Sequence, residues 1–264
     1  MSRTRAIDAE APLYRAALSV LRANLGPCTG AALLLLGANI GSAYLDAPLA
    51  FAVARALVIM IIGYSAYRTL TSGGRVHGWR ALATPEGRVP WRYAGIMVTI
   101  LAPVLILGIV WNAPGGRIGP DSIGEIVFGL VMILLYGGLY VLLGTALPEV
   151  AATGEAHLGE TLARGRRNYR EIGRALVLGP WLFRTGALLV VVAMALAGLP
   201  ADAVDMQGRF QPRGLVPMLF LTSAHVFAEI LTAVVLTRVW QRSRASASPA
   251  PAARAVAQPI ASRT

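Results

Sequence analysis

Apolar stretches of membrane-spanning length alternate along this chain with short polar segments, and the alternation predicts helices that cross a bilayer. A helix crossing a hydrocarbon core of ~30 Å needs about 20 apolar residues. The stretches over 29–45, 49–70, 93–111, 123–147, 176–199 and 214–236 meet that requirement, giving six expected spans. The first is short enough either to cross or to form one arm of a re-entrant hairpin. Asp46, Ala47 and Pro48 supply turn chemistry after it, Pro103 lies at the centre of the third, and Pro148 is expected to end the fourth.

Two other segments have a mixed helical pattern. Over 12–25, Leu13, Ala17, Val20, Leu21 and Leu25 share one face, and Arg15, Ser19 and Arg22 take the other. Residues 155–175 carry Arg164, Arg166, Arg167, Arg170 and Arg174. Both are predicted to be amphipathic helices lying on the cytoplasmic bilayer surface. The expected fold is therefore an all-α integral membrane protein, with six transmembrane helices and two surface helices within 11–240. Residues 1–10 and the tail 241–264 are too poor in bulky apolar groups to pack and are expected to be disordered.

Charge orients this framework. The chain holds 24 basic residues, all arginine, for a formal net charge of +11. Only 14% of its 264 residues are charged, against roughly 25% in soluble proteins. Nineteen arginines fall in the N-terminal segment, the two long loops and the tail. Arg117, Arg209 and Arg213 occupy the alternate links. By the positive-inside rule both termini are expected in the cytoplasm, and five or seven spans would carry a heavy arginine cluster across the membrane. Exclusive arginine usage matches a GC-rich bacterial genome, so the cytoplasmic (inner) membrane of a bacterium is the expected location. Basic residues confined to short loops favour anionic lipid headgroups as partners, with a membrane protein as a second candidate and no nucleic acid. Oligomeric state is left open.

The absence of lysine excludes Schiff-base and Walker-type lysine chemistry. Cys28 is the single cysteine, so no intrachain disulfide can form. No cleavable signal peptide is expected, since a long polar lead precedes the first apolar run.

Two arginines interrupt apolar spans. Spans five and six are antiparallel about a link centred near residue 206, which sets Arg184 at the depth of Glu229, the one acid deep within a span. An interhelical ion pair is predicted, because an unpaired charge there costs about 2.5 kcal/mol or more. In the first hairpin Arg55 faces the depth of Asn39, whose amide oxygen can accept a hydrogen bond; snorkelling to the outer headgroups is the alternative. Thr222, His225, Glu229 and Thr232 fall on one narrow stripe of span six. Such a stripe serves either as a polar pathway for protons or ions or as glue between helices. No metal site, catalytic constellation or cofactor is expected. His225 and Glu229 offer two ligands where zinc wants three or four, and His77 and His157 lie in cytoplasmic segments. Gly37 and Gly41 permit close helix approach. Tyr136 and Tyr140 share a face that either lines a pocket or packs on a neighbour.

The run Ala146-Leu147-Pro148-Glu149-Val150, the helix over 158–173 with Arg164, Arg166, Arg167 and Asn168, and the span that follows resemble a known arrangement. It is that of the membrane domain beside some bacterial glycerophosphodiester phosphodiesterases and of related polytopic proteins. The resemblance covers about fifty residues, implies no catalytic residue, and leaves no length for a catalytic barrel. An internal echo accompanies it: Leu18, Arg22 and Asn24 recur as Leu162, Arg166 and Asn168. The expected function is non-enzymatic, with the basic helices binding anionic lipid or a partner protein. A small transporter or channel using the His225/Glu229 stripe is the alternative, and an intramembrane enzyme ranks third.

Overall fold

The computed structural model describes residues 11–45, 48–82, 89–112, 122–204 and 208–247. The expected disorder of 1–10 and 248–264 lies outside these residues, as do Asp46, Ala47, Arg117 and Asp205. Ten α-helices are described: α1 (Leu13–Ala23), α2 (Leu25–Tyr44), α3 (Pro48–Thr71), α4 (Val89–Asn112), α5 (Ser122–Leu143), α6 (Ala146–Thr153), α7 (Leu158–Arg167), α8 (Tyr169–Leu176), α9 (Leu182–Leu196) and α10 (Leu215–Ala247). Among the described residues there is no strand, only an isolated antiparallel bridge between Val204 and Phe210. Five stretches are long and apolar enough to cross a bilayer, namely Leu25–Tyr44, Ala50–Thr71, Trp91–Gly108, Tyr169–Leu196 and Pro212–Ser246. Val127–Leu143 and Ala146–Thr153, bent by 43°, make a sixth if read as one broken span. This is the architecture of a helical multi-pass membrane protein.

The central helix is α10. Its apolar window is 67% buried, against 17–33% for the other four unbroken spans, and it packs on α1, α2, α3, α6, α8 and α9. The surrounding helices turn Leu33, Leu34, Ile106, Leu134, Leu189 and similar side chains outward, as expected where the solvent is hydrocarbon and backbone polar groups are satisfied within each helix.

The elements depart from the sequence pattern in ways with local causes. The break in the fourth span comes at Gly144–Thr145, not at Pro148, which lies inside α6. A proline ring clashes with the carbonyl four residues before it, here that of Gly144, so the helix yields there and resumes. Gly144 is suited to the break because a Cβ at that position would strike the Tyr140 carbonyl and the Leu236 side chain. The first span begins at Leu25 and reaches 20 residues, about 30 Å of helix. The basic segment over 155–175 is two helices, parted at Asn168. A π-helical turn at Val177–Trp181, containing Pro180, then carries α8 into α9. Finally, α10 continues to Ala247, beyond the expected end of the span and into the segment expected to be disordered. There Arg242 pairs with Glu171 of α8, and the Arg244 guanidinium lies 5.1 Å over the Trp240 ring.

Asn24 and Asn168, three-residue echo and all, sit at equivalent breaks. Their backbones adopt φ −115°, ψ 28° and φ −105°, ψ 14°. In each, backbone N–H and side-chain Nδ2 both donate to the carbonyl four residues back, Val20 or Arg164, at 2.9–3.1 Å. A side chain bonded to its own preceding turn bends a helix. Each asparagine thus bends a short helix into a longer apolar stretch.

Contacts gather the arginine-rich segments at one end of the bundle. Arg238 donates to the Ala11 carbonyl, Arg92 to Gly154 and Glu155, and the Gly78 N–H to Asn24.

Candidate functional site

Two places in the bundle concentrate polar chemistry. The first lies inside it. Arg184 of α9 and Glu229 of α10 form an ion pair through Nη2 and Oε1. Glu229 is buried, Arg184 is about one-quarter exposed, and Arg184 Nε makes no hydrogen bond. Tyr136, Gly137, Tyr140, Leu176, Trp181 and Thr232 enclose the pair. Gly137 is required for this closeness, since a Cβ would fall 2.6 Å from the Trp181 ring. Tyr136 and Tyr140 both line the cavity and pack on each other, with ring centroids 4.8 Å apart. The space left for a water centre is about 10 Å³, room for about one water molecule.

Among the described residues, no hydrogen bond joins the members of the predicted stripe to one another. Thr222 and Thr232 are buried, and their hydroxyls donate to the carbonyls of Leu219 and Ala228 in their own helix. His225 is exposed, and no hydrogen bond joins it to Glu229. Arg55 meets Ser42 Oγ at 3.1 Å rather than the Asn39 amide, and Ser42 in turn donates to the Asn39 carbonyl. The long arginine stem leans towards the hairpin turn, so its head lands about one helical turn beyond the residue at equal depth. Gly41 admits the Phe51 ring of α3, whose carbon a Cβ would approach to 2.8 Å, while Gly37 faces open space. The glycine pair therefore serves a contact within the chain at one of its two positions.

The second place is the arginine-rich end. Arg15, Arg22, Arg166, Arg167, Arg170 and Arg174 are exposed. Arg164 is not: its side chain is 11% exposed and pairs with Glu149 of α6 at 3.0 Å. The expected outward role of Arg164 is thus corrected, and the cause is α6, which continues past Pro148 and presents an acid to α7. Gly165 lets α7 sit directly on the end of α5, where a Cβ would collide with the Leu142 backbone.

Beside that contact runs a groove of about 590 Å³. Gly138, Val141 and Leu142 of α5 form its floor, and Arg166, Tyr169, Arg170, Gly173 and Arg174 its rim. Arg170 Nε lies 3.3 Å from the Tyr169 hydroxyl. The groove is apolar along its length and cationic at its edge. Nearby, Arg92 bonds the Glu155 carboxylate at 2.8 Å and holds its carboxyl below the usual range.

Sequence reasoning missed three features. Asn24 is buried, and besides its own turn it joins Ser65 and Thr69 of α3 and the Gly78 N–H; the echo with Asn168 was its only signal. Tyr64, Tyr67 and Tyr93 stack in the core at centroid distances of 5.2 and 6.0 Å, which no periodicity separates from ordinary packing. Glu149, His157 and Glu160 bring donor atoms within 4.8 Å of one another, where no metal centre was expected.

No protein-family model matches the chain, and neither a curated protein nor a solved structure does so.

Proposed function

We propose that this is a non-enzymatic protein of a bacterial inner membrane that holds anionic phospholipid at its arginine-rich, cytoplasmic end. The carrying observation is the groove between α5 and the α7–α8 segment, with Arg166, Arg170 and Arg174 along its rim. An acyl chain suits the floor of Val141 and Leu142, and a headgroup phosphate suits the guanidinium rim, which matches planar oxyanions through paired hydrogen bonds. Arg15, Arg22 and Arg167 add a wider basic face, and six spans with both termini in the cytoplasm bring that face to the anionic leaflet. The same segment carries the resemblance to membrane domains beside glycerophosphodiester phosphodiesterases.

The test replaces Arg166, Arg170 and Arg174 together by Gln. Each arginine near an anionic surface contributes ~1 kcal/mol, so retention of phosphatidylglycerol should fall by about two orders of magnitude. Native mass spectrometry and lipid-exchange titration measure it. Unchanged retention in a folded triple variant would sink the lipid reading. Loss of a co-purifying protein instead would favour a protein partner on the same face.

A further inference from the structure

The geometry points to a divalent transition-metal site at the junction of α6 and α7, held by Glu149, His157 and Glu160. This goes beyond lipid binding and involves none of the groove arginines.

One imidazole nitrogen and two carboxylate oxygens converge there, each pair within 4.8 Å. Their placement follows from the chain. Glu149 projects from α6, Gly154 reverses the backbone with φ 81°, and His157 stands immediately before α7 with Glu160 one turn on. The side chains of His157 and Glu160 are exposed and are held by no hydrogen bond or ion pair among the described residues, and His157 lies close enough to the Glu155 carboxylate to interact with it electrostatically. Both are therefore free to change rotamer. Glu149 is fixed: Arg164 holds its Oε2 at 3.0 Å, and the Thr161 hydroxyl lies 3.4 Å from the same atom. Metal-ligating carboxylates commonly carry such outer partners, which orient them.

Metal–ligand distances of about 2.0–2.2 Å put neighbouring donors about 3–3.5 Å apart. Closing the present set requires movements on the order of 1 Å in the two free side chains. Three protein donors leave further positions to water, the ligand number of an open zinc site. The mixed nitrogen and oxygen set suits Zn²⁺ or Mn²⁺ better than Mg²⁺ or Ca²⁺, which prefer oxygen alone. Charge is consistent: two carboxylates and the Arg164 guanidinium leave one net negative charge for a dication. A cavity of about 510 Å³, lined by Arg92, Thr99, Glu155 and His157, opens beside the cluster. A bound ion would tie α6 to α7 across the 154–157 turn.

The experiment uses the full chain, purified through a histidine-free tag and placed in phosphatidylcholine nanodiscs, so that neither tag nor lipid headgroup binds metal. After chelator treatment, ZnCl₂ or MnCl₂ is titrated calorimetrically, and bound metal is counted by elemental mass spectrometry. About one equivalent per chain is expected, the complement of a single three-ligand site. His157→Ala and Glu160→Gln should each weaken binding at least tenfold, while His77→Ala leaves it unchanged. Thermal melting without metal should be the same for all four proteins, since the altered side chains are exposed. Absence of stoichiometric binding, or binding that His157→Ala and Glu160→Gln leave intact, overturns the proposal. Either failure leaves phosphatidylglycerol retention at the arginine groove unaffected, so the two readings fall separately.

Discussion

Asn24 and Asn168 bend the chain in the same way, but what surrounds each bend differs. Around Asn24 the anchor is an apolar and amide-centred node. Val20, whose carbonyl takes the Asn24 side chain, is fully buried, and the Asn24 oxygen accepts from Ser65, Thr69 and the Gly78 N–H. Around Asn168 the anchor is ionic. The residue in the place of Val20 is Arg164, whose carbonyl takes the asparagine and whose guanidinium goes to Glu149. The asparagine itself is half-buried and makes one side-chain bond, to its own preceding turn. One local device is therefore locked from the outside in the first half and supported from four residues back in the second. The second arrangement leaves the surface of α7 and α8 free for the groove.

Glu149→Ala leaves a largely buried guanidinium uncompensated, and such losses cost up to about 3–5 kcal/mol; unfolding in mild detergent should show it, with protection of α7 amides lost. A change under ~1 kcal/mol would mean the second bend does not depend on its ion pair. Asn24→Ala removes several buried bonds at once, at about 1–3 kcal/mol for each group left unsatisfied. Its cost should approach that of Glu149→Ala, and hydrogen exchange should quicken at Gly78. Gly165→Ala forces α7 off the Leu142 backbone at about 1–3 kcal/mol; a melting temperature equal to that of the parent would show that the close seat is dispensable. Asn168→Ala should cost least of the helix variants, about 0.5–1.5 kcal/mol for one neutral bond. If it matched Asn24→Ala, the contrast between the bends would vanish.

Arg92 and Glu155 form an exposed ion pair, screened by solvent and weaker than the pair of Arg164 and Glu149. The Glu155 carboxyl lies below its ordinary range because Arg92 bonds it. Its contribution is present above the ordinary carboxylate range and is lost as pH falls through the lowered value. Acid should therefore loosen the 154–157 turn, as measured by faster hydrogen exchange there. Arg92→Gln should abolish that acid response while leaving overall melting nearly unchanged.

What was legible in the sequence followed from regular geometry. Helical rise makes depth linear in residue number, so Arg184 could be set opposite Glu229 from the link between two straight helices, and the structure pairs them. The same arithmetic missed the partner of Arg55, because a flexible stem adds reach that depth alone does not contain. Periodicity placed the arginines of 155–175 on a helix but could not say that Arg164 turns inward. That depends on α6, which is invisible if Pro148 is read as a stop rather than as a residue that breaks the helix four positions earlier. The cluster of Glu149, His157 and Glu160 was hidden for the same reason. It forms only when a short helix returns its acid to the chain that follows.

The central position of α10 has a consequence for synthesis. Every helix it packs against is translated before it, so the earlier spans must wait in the bilayer without the surface they finally cover. Arg184 waits too, 45 residues ahead of Glu229. At 5–20 residues per second a ribosome takes about 2–9 s to deliver that partner. During this interval the guanidinium needs water, a lipid phosphate or an insertase to hold it. The ion pair thus acts as a clasp closed late in biogenesis, and a Glu229 variant should be caught first by the membrane's quality-control proteases, as an unclosed intermediate.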